Sequence, residues 1–274
     1  MTATMPVDIS PDARIAPDAR IAPGVRLGRD VRILEGVEIA AGVEIGDRVT
    51  LRNCSLAAGV RIEDNCIIGY GNVTGGFSHK LDGFQNPGRI FIGEATLVRP
   101  GSVLYPGVLI GSNCWINHTV MLREHTHIGD RTSIGTMSDS EGYNSIGSHV
   151  CIHSQVHICA RTLIEDYVFV APFTIFTNGN PMNYAREIPS EEQGPTVRFG
   201  VQIAASCVIL PRVEIGYEAV IGAASTVVKN IPPGVIALGS PARVLKPVPP
   251  EQRMPLELRR RYYNGADDPE GMEK

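Results

Sequence analysis

Residues 15–50 read IAPDAR IAPGVR LGRDVR ILEGVE IAAGVE IGDRVT, six blocks of six. Each block opens on Ile or Leu and carries Ala or Val at its fifth place. First and fifth places share the parity of a short strand, so their side chains point the same way, here inward. The third and fourth places gather turn residues, here and further along (Asp47, Asn65, Gly101, Asn113, Asp130). Three such sides close a triangular coil of eighteen residues. Stacked coils form parallel strands about 4.8 Å apart, and each coil buries its aliphatic face only against its neighbours.

The pattern runs outward from this stretch in both directions. A one-residue slip at 51–55 is followed by LAAGVR from Leu56 and IEDNCI from Ile62. The repeat dissolves at 70–89, returns from Ile92 to Ile175, and reappears from Val197 to Val228. The expectation is an all-β fold, a triangular prism of about ten stacked coils of parallel strands, roughly 45–50 Å long. Residues 1–14 precede it, the prism covers 15–245, and 246–274 form a tail. Two excursions interrupt the prism, a polar Gly-containing one at 70–89 and a second at 178–196, and long loops of this kind often carry function. In the tail, 247–255 reads as a linker, 256–263 as a short helix and 267–274 as a disordered end.

Composition agrees with this interior. Of 274 residues, 43% are hydrophobic but only 6% aromatic, because an inward place takes one aliphatic or one small residue and most rings would overfill it. Lys and Arg number 25 against 29 Asp and Glu, with one dense basic run at 259–261, which argues against nucleic acid as the partner. No stretch approaches the ~18 apolar residues of a membrane span. The first fourteen residues lack the basic start and apolar core of a secretory signal. Six cysteines without a CxxC pair fit a cytoplasmic protein, and Cys66, Cys114 and Cys207 fall on the inward fifth place as packed thiols.

Register arithmetic places a site. Blocks starting at 116, 134, 152, 170, 203 and 221 share one side, so one edge of the prism carries His118, Thr136, Ser154, Gln155, Pro172, Ala205 and Ala223. Ala205 and Ala223 are eighteen apart and stack on adjacent coils, where small side chains let a thin ligand lie close to backbone N–H groups. His118 and Gln155 are two coils apart, roughly 10 Å, and can flank one ligand without touching.

These blocks resemble the hexapeptide-repeat acyltransferases over about residues 15–245, and the resemblance implies that the prism is a left-handed parallel β-helix. The stretch 215–246, IGYEAVIGAASTVVKNIPPGVIALGSPARVLK, is similar to the family's closing segment along the acyl-CoA, with Ala224 where glycine is common and Ser240 where asparagine is common. Stretches 116–135 and 150–178 resemble the N-acetyltransferases of nucleotide-linked amino sugars. His118, the Arg123-Glu124 pair, Ile164-Glu165-Asp166 and Phe176-Thr177-Asn178 match that subgroup, whereas Gln155 stands where Asn or His is usual. The resemblance implies acetyl-CoA as co-substrate, an amino-sugar nucleotide as acceptor and a homotrimer. It implies His118, Gln155 and His153 as catalytic candidates, and Arg123, Glu124 and Asn178 for the acceptor. Ala205, Ala223, Lys229 and Arg243 are then the CoA side, with no metal.

An amine attacking a thioester must be neutral, so a base or solvent takes a proton, and the oxyanion needs a donor such as a backbone N–H. Histidine suits the base because it titrates near neutrality. Of seven histidines, His118 stands at an edge turn and matches a family residue. If the amine arrives neutral, His118 orients the acceptor instead. His127, His149 and His157 read as solvated repeat residues, with His125 and His153 between. Two other readings stand beside this one. A γ-carbonic-anhydrase-like zinc hydratase would need three converging histidines, for which His118, His153 and His157 are the available trio. The other is a non-catalytic β-helix scaffold.

Overall fold

The computed structural model describes residues 8–70, 88–179 and 193–263. It is a left-handed parallel β-helix of triangular section. Three parallel sheets form its faces. The first face has 13 strands from Asp8–Ile9, the second 11 from Arg14–Ile15, and the third 10 from Arg20–Ile21, which makes about eleven turns. Most strands are two residues long, the first facing out and the second in, as in Glu44–Ile45. The inward fifth place is filled as the repeat demands: Val31, Val37, Val43 and Val49 are wholly buried, and so are Cys66, Cys114 and Cys207. Large rings stand mostly outside, with Trp115 61% exposed.

The corners explain why the period is six. The fourth-place residue adopts the left-handed region even where it is not glycine, as at Met137 (φ 59°), Gln155 (φ 58°) and Phe173 (φ 63°). That conformation is costly for a branched or bulky residue. It is offset because the fourth-place N–H then donates to the third-place carbonyl of the preceding coil, as Gln155 N–H does to Thr136 at 2.9 Å. The slip at 51–55 is one such corner closed with a residue fewer. Asn53 turns at φ 42°, and Glu38 pairs with Ser55, seventeen residues on rather than eighteen.

Both excursions leave the prism at one edge. Ile67–Ile68 lies on the second face and Ile90–Ile92 on the third; Ile175–Phe176 and Thr196–Val197 repeat that relation. Residues 71–87 and 180–192 of the excursions, 1–7 at the start and 264–274 at the end lie outside the described residues.

The tail differs from the linker expected at 247–255. Val235–Leu238 and Arg243–Pro247 form an antiparallel hairpin that closes the first face. Val248 is buried and donates its N–H to Gly234, because the chain folds back on the last corner rather than leaving it. The helix Leu256–Tyr263 is present. It is held through Glu218, which accepts the Met254 N–H at 2.7 Å and faces Arg259 at 3.0 Å, an ion pair rather than an aligned hydrogen bond. Glu218 is almost wholly buried, so its loss removes a buried carboxylate from a poorly solvated guanidinium. Glu218→Ala is expected to release the tail, with trypsin cutting at Arg259 well before the prism unfolds. Cleavage at the wild-type rate would contradict this anchoring.

Burial also sets thiol reactivity. It pushes Cys54 up to about 12 and Cys66 up to about 11, and raises Cys114 and Cys207 as well. Cys151 alone of the six is not buried. Since the thiolate is the reactive form, native protein at pH 8 should be alkylated at Cys151 first. Equal labelling of Cys66 would show that the coils open readily.

Candidate functional site

The edge between the first and second faces holds the residues that register predicted. Met137 donates to the carbonyl of His118 at 2.9 Å, Gln155 to Thr136 at 2.9 Å and Phe173 to Ser154 at 3.2 Å. The column continues with Ser206 on Pro172 at 3.0 Å and Ala224 on Ala205 at 2.9 Å. His118, Thr136, Ser154, Pro172, Ala205 and Ala223 therefore stack in one row, with Gln155 in the adjoining fourth-place row. Among the described residues the coil-to-coil bonds use the N–H groups of Ser206 and Ala224, leaving those of Ala205 and Ala223 outside the ladder. Their side chains are small, Ala223 exposed and Ala205 half-buried, which makes a track open to a ligand.

Gln155 is exposed between Met137 and Phe173, themselves 58% and 55% exposed, and its Nε2 lies 3.9 Å from the Met137 sulfur. His153 precedes this turn on the first face and packs edge-on against Phe169 at 5.2 Å. Gly135, beneath it, is needed for close approach: a Cβ there would fall on the backbone carbonyl of His153. His118 is exposed at its turn.

The acceptor candidates fall elsewhere. Arg123 and Glu124 stand on the edge between the second and third faces, the one both excursions leave. Glu124 is 4% exposed, and its carboxylate holds Arg123 Nε at 3.1 Å while that guanidinium lies over the Tyr105 ring at 5.8 Å. The His125 and Tyr143 rings pack there at 5.0 Å, tilted by 34°. Asn178 opens the second excursion on the same edge, its Nδ2 buried without a hydrogen-bond partner among the described residues. Lys229 follows the last strand of the second face, Thr226–Val227, and Arg243 opens the closing hairpin strand; both are exposed. Thus His118, His153, Gln155, Ala205 and Ala223 are strung along the first edge on successive coils, whereas Arg123, Glu124 and Asn178 lie across the second face from them. Spacing carried this signal: 118 and 124 are the third places of consecutive blocks, hence of consecutive edges.

Two matched residues are structural. Glu165 holds Arg198 Nη1 at 2.8 Å and the Phe199 N–H at 2.8 Å where the chain re-enters the prism. Asp166 accepts the Ser148 N–H at 2.7 Å.

Sequence reasoning passed over one pair. On the second face, His157 Nδ1 lies 2.9 Å from Asp139 Oδ2, on adjacent coils in direct register. Hydrogen bonding to Asp139, opposed by burial and helped by the charges of Asp139 and Glu141, raises the His157 pKa above its ordinary value. Both occupy outward strand places eighteen apart, which was the available signal.

The zinc trio does not converge: His118, His153 and His157 stand on the first edge, the first face and the second face. Among the described residues no three His, Cys, Asp or Glu side chains group closely enough to hold a metal. Nor, among them, is any helix long and apolar enough to cross a membrane. A groove of 450 Å³ lined by Arg20, Glu38, Ser55 and Phe91 lies on the third face among the N-terminal coils, away from both edges.

No protein-family profile matches the chain. It is 34% identical over 117 residues to galactoside O-acetyltransferase of Escherichia coli, covering 39% of this chain and 58% of that protein. It is 44% identical over 59 residues to serine acetyltransferase of Buchnera aphidicola, 22% of each. It is 26% identical over 196 residues to the bifunctional protein GlmU of Paracidovorax citrulli, 70% of this chain and 35% of that one. A solved UDP-N-acetylglucosamine acyltransferase from Bacteroides fragilis aligns over 92% of this chain and 77% of its own, at 19% identity and TM-score 0.43. The chain thus spans well under two thirds of these curated relatives. The chain, whose six-residue register is interrupted by one slip and two excursions, is similar over part of its length to acetyltransferases of the hexapeptide-repeat type.

Proposed function

We propose that this chain is a CoA-dependent acetyltransferase that moves an acetyl group from acetyl-CoA to the amino group of a nucleotide-linked amino sugar, and that it works as a homotrimer. The observation that carries the reading is the 34% identity to an acetyltransferase over 117 residues. The amine acceptor, rather than a hydroxyl, rests on the resemblance of 150–178 to amino-sugar enzymes. Six free cysteines fit a reducing compartment such as the cytoplasm.

The chemistry follows from the first edge. Pantetheine lies along the Ala205–Ala223 track, where a free backbone N–H can bond its amides. The thioester then reaches the rows of Gln155 and His118, which flank the acceptor amine. A backbone N–H of a turn supplies the oxyanion donor. Arg123, Glu124 and Asn178 hold the remote part of the acceptor from the second edge, one face away or on a neighbouring copy. Lys229 and Arg243 meet the CoA phosphates.

A thiol-release assay over amino-sugar nucleotides, free amino sugars, galactosides and serine tests this. Turnover is expected with an amino-sugar nucleotide, and saturating acetyl-CoA is expected to raise Tm, since it binds the folded state alone. Turnover only with a hydroxyl acceptor would replace the acceptor class. No turnover and no shift with any acyl-CoA would overturn the reading.

A further inference from the structure

The structure assigns the proton acceptor of this reaction to His157, held in place by Asp139; the inference rests on the acetyltransferase reading above. Three observations lead there. His157 follows Gln155 by two residues, so its strand leaves the first edge at the coil where the thioester and amine would meet. Its Nδ1 is engaged by Asp139 at 2.9 Å, which fixes the ring and leaves Nε2 for a substrate. The side chain is 36% exposed, accessible but not loose. On its other side stands Ile175, across the sheet in the next coil, so the ionisable groups facing the ring are Asp139 and Glu141.

The ladder of charges on the outer faces gives a contrast. In the N-terminal coils some stacked partners on the first and third faces are arginine with carboxylate, as in Arg26–Glu44 and Arg20–Glu38. Arginine cannot give up its proton at working pH, so those pairs only tie coils together. On the second face at His157 the carboxylate's partner is instead an imidazole, a group that titrates near neutrality. His118, by contrast, has no hydrogen-bond partner among the described residues to fix its tautomer, which suits it to orienting the acceptor.

The step balances. The amine nitrogen bonds to the thioester carbonyl carbon while His157 Nε2 takes one N–H proton. The C–S bond breaks, and the imidazolium returns that proton to the departing thiolate, giving the amide and free CoA. Asp139 touches no reacting atom and is a positioning residue.

The test measures kcat, KM for acetyl-CoA and pH profile for wild type, His157→Asn, Asp139→Asn and His118→Ala, with Tm as folding control. Removing a general base typically costs about 10²–10⁴-fold. His157→Asn is expected to lose about 100-fold or more in kcat with KM nearly unchanged. In wild type, activity should rise with pH as His157 loses its proton. Asp139 raises that pKa, so Asp139→Asn should shift the rise to lower pH, which a merely structural pair would not do. Near-wild-type kcat in His157→Asn, with wild type active, would overturn the assignment and leave the acetyltransferase reading standing. An unmoved profile in Asp139→Asn would overturn the positioning role. If His157→Asn fails to fold, the profile shift in Asp139→Asn decides. A wild type that releases no thiol from any acceptor would remove both.

Discussion

Ala223→Glu should weaken acetyl-CoA binding by about 100-fold, near 2.7 kcal/mol, while leaving Tm within about 2 °C of wild type. Ala223 is an exposed third-place turn residue outside the left-handed region, so a larger side chain there costs the fold little. It also lies on the proposed track. A carboxylate there blocks the close approach of pantetheine to backbone and repels the CoA phosphates. The comparison is Ala58→Glu, an equally exposed third-place turn residue on the edge between the third and first faces. It should bind acetyl-CoA as wild type does. Equal affinity in Ala223→Glu and wild type, measured by calorimetric titration, would remove the track from the first edge.

The second large effect concerns the prism. Ile152 is inward on the first face, 1% exposed, between Ile134 and Val170 of the adjacent coils. Ile152→Asp puts a carboxylate where no water or cation reaches it, and such a change is expected to cost about 4 kcal/mol or more. Each coil contacts mainly its neighbours, so damage should be local first. Hydrogen exchange should quicken around 134–170 while 25–68 keeps its protection. A uniform loss across all coils would show instead that the prism unfolds as one cooperative unit. A melting curve like wild type would contradict the packing.

Legibility differed between fold and site for a physical reason. The fold was written in periodicity: Ile39 and Val43 face in because first and fifth places share parity, and every block repeats the statement. Even the slip at 51–55 was visible, since one short block leaves the register on either side intact. The edge carrying His118, Gln155, Ala205 and Ala223 was legible for the same reason. Arg123 and Glu124 were grouped with His118 by resemblance, although one block of separation carries them to the next edge. The His157–Asp139 pair was passed over because a histidine in an outward strand place looks solvated until its neighbour eighteen residues back is considered. The packed tail was hidden because Glu218 grips Arg259 across a long sequence separation that no local pattern records.

A crystal structure of the full chain with CoA tests the central claim most directly. It should show pantetheine along Ala205 and Ala223, with the thiol pointing toward Gln155 and His157 Nε2. CoA seated on the edge of Arg123, His125 and Tyr143, or in the third-face groove beside Phe91, would contradict it.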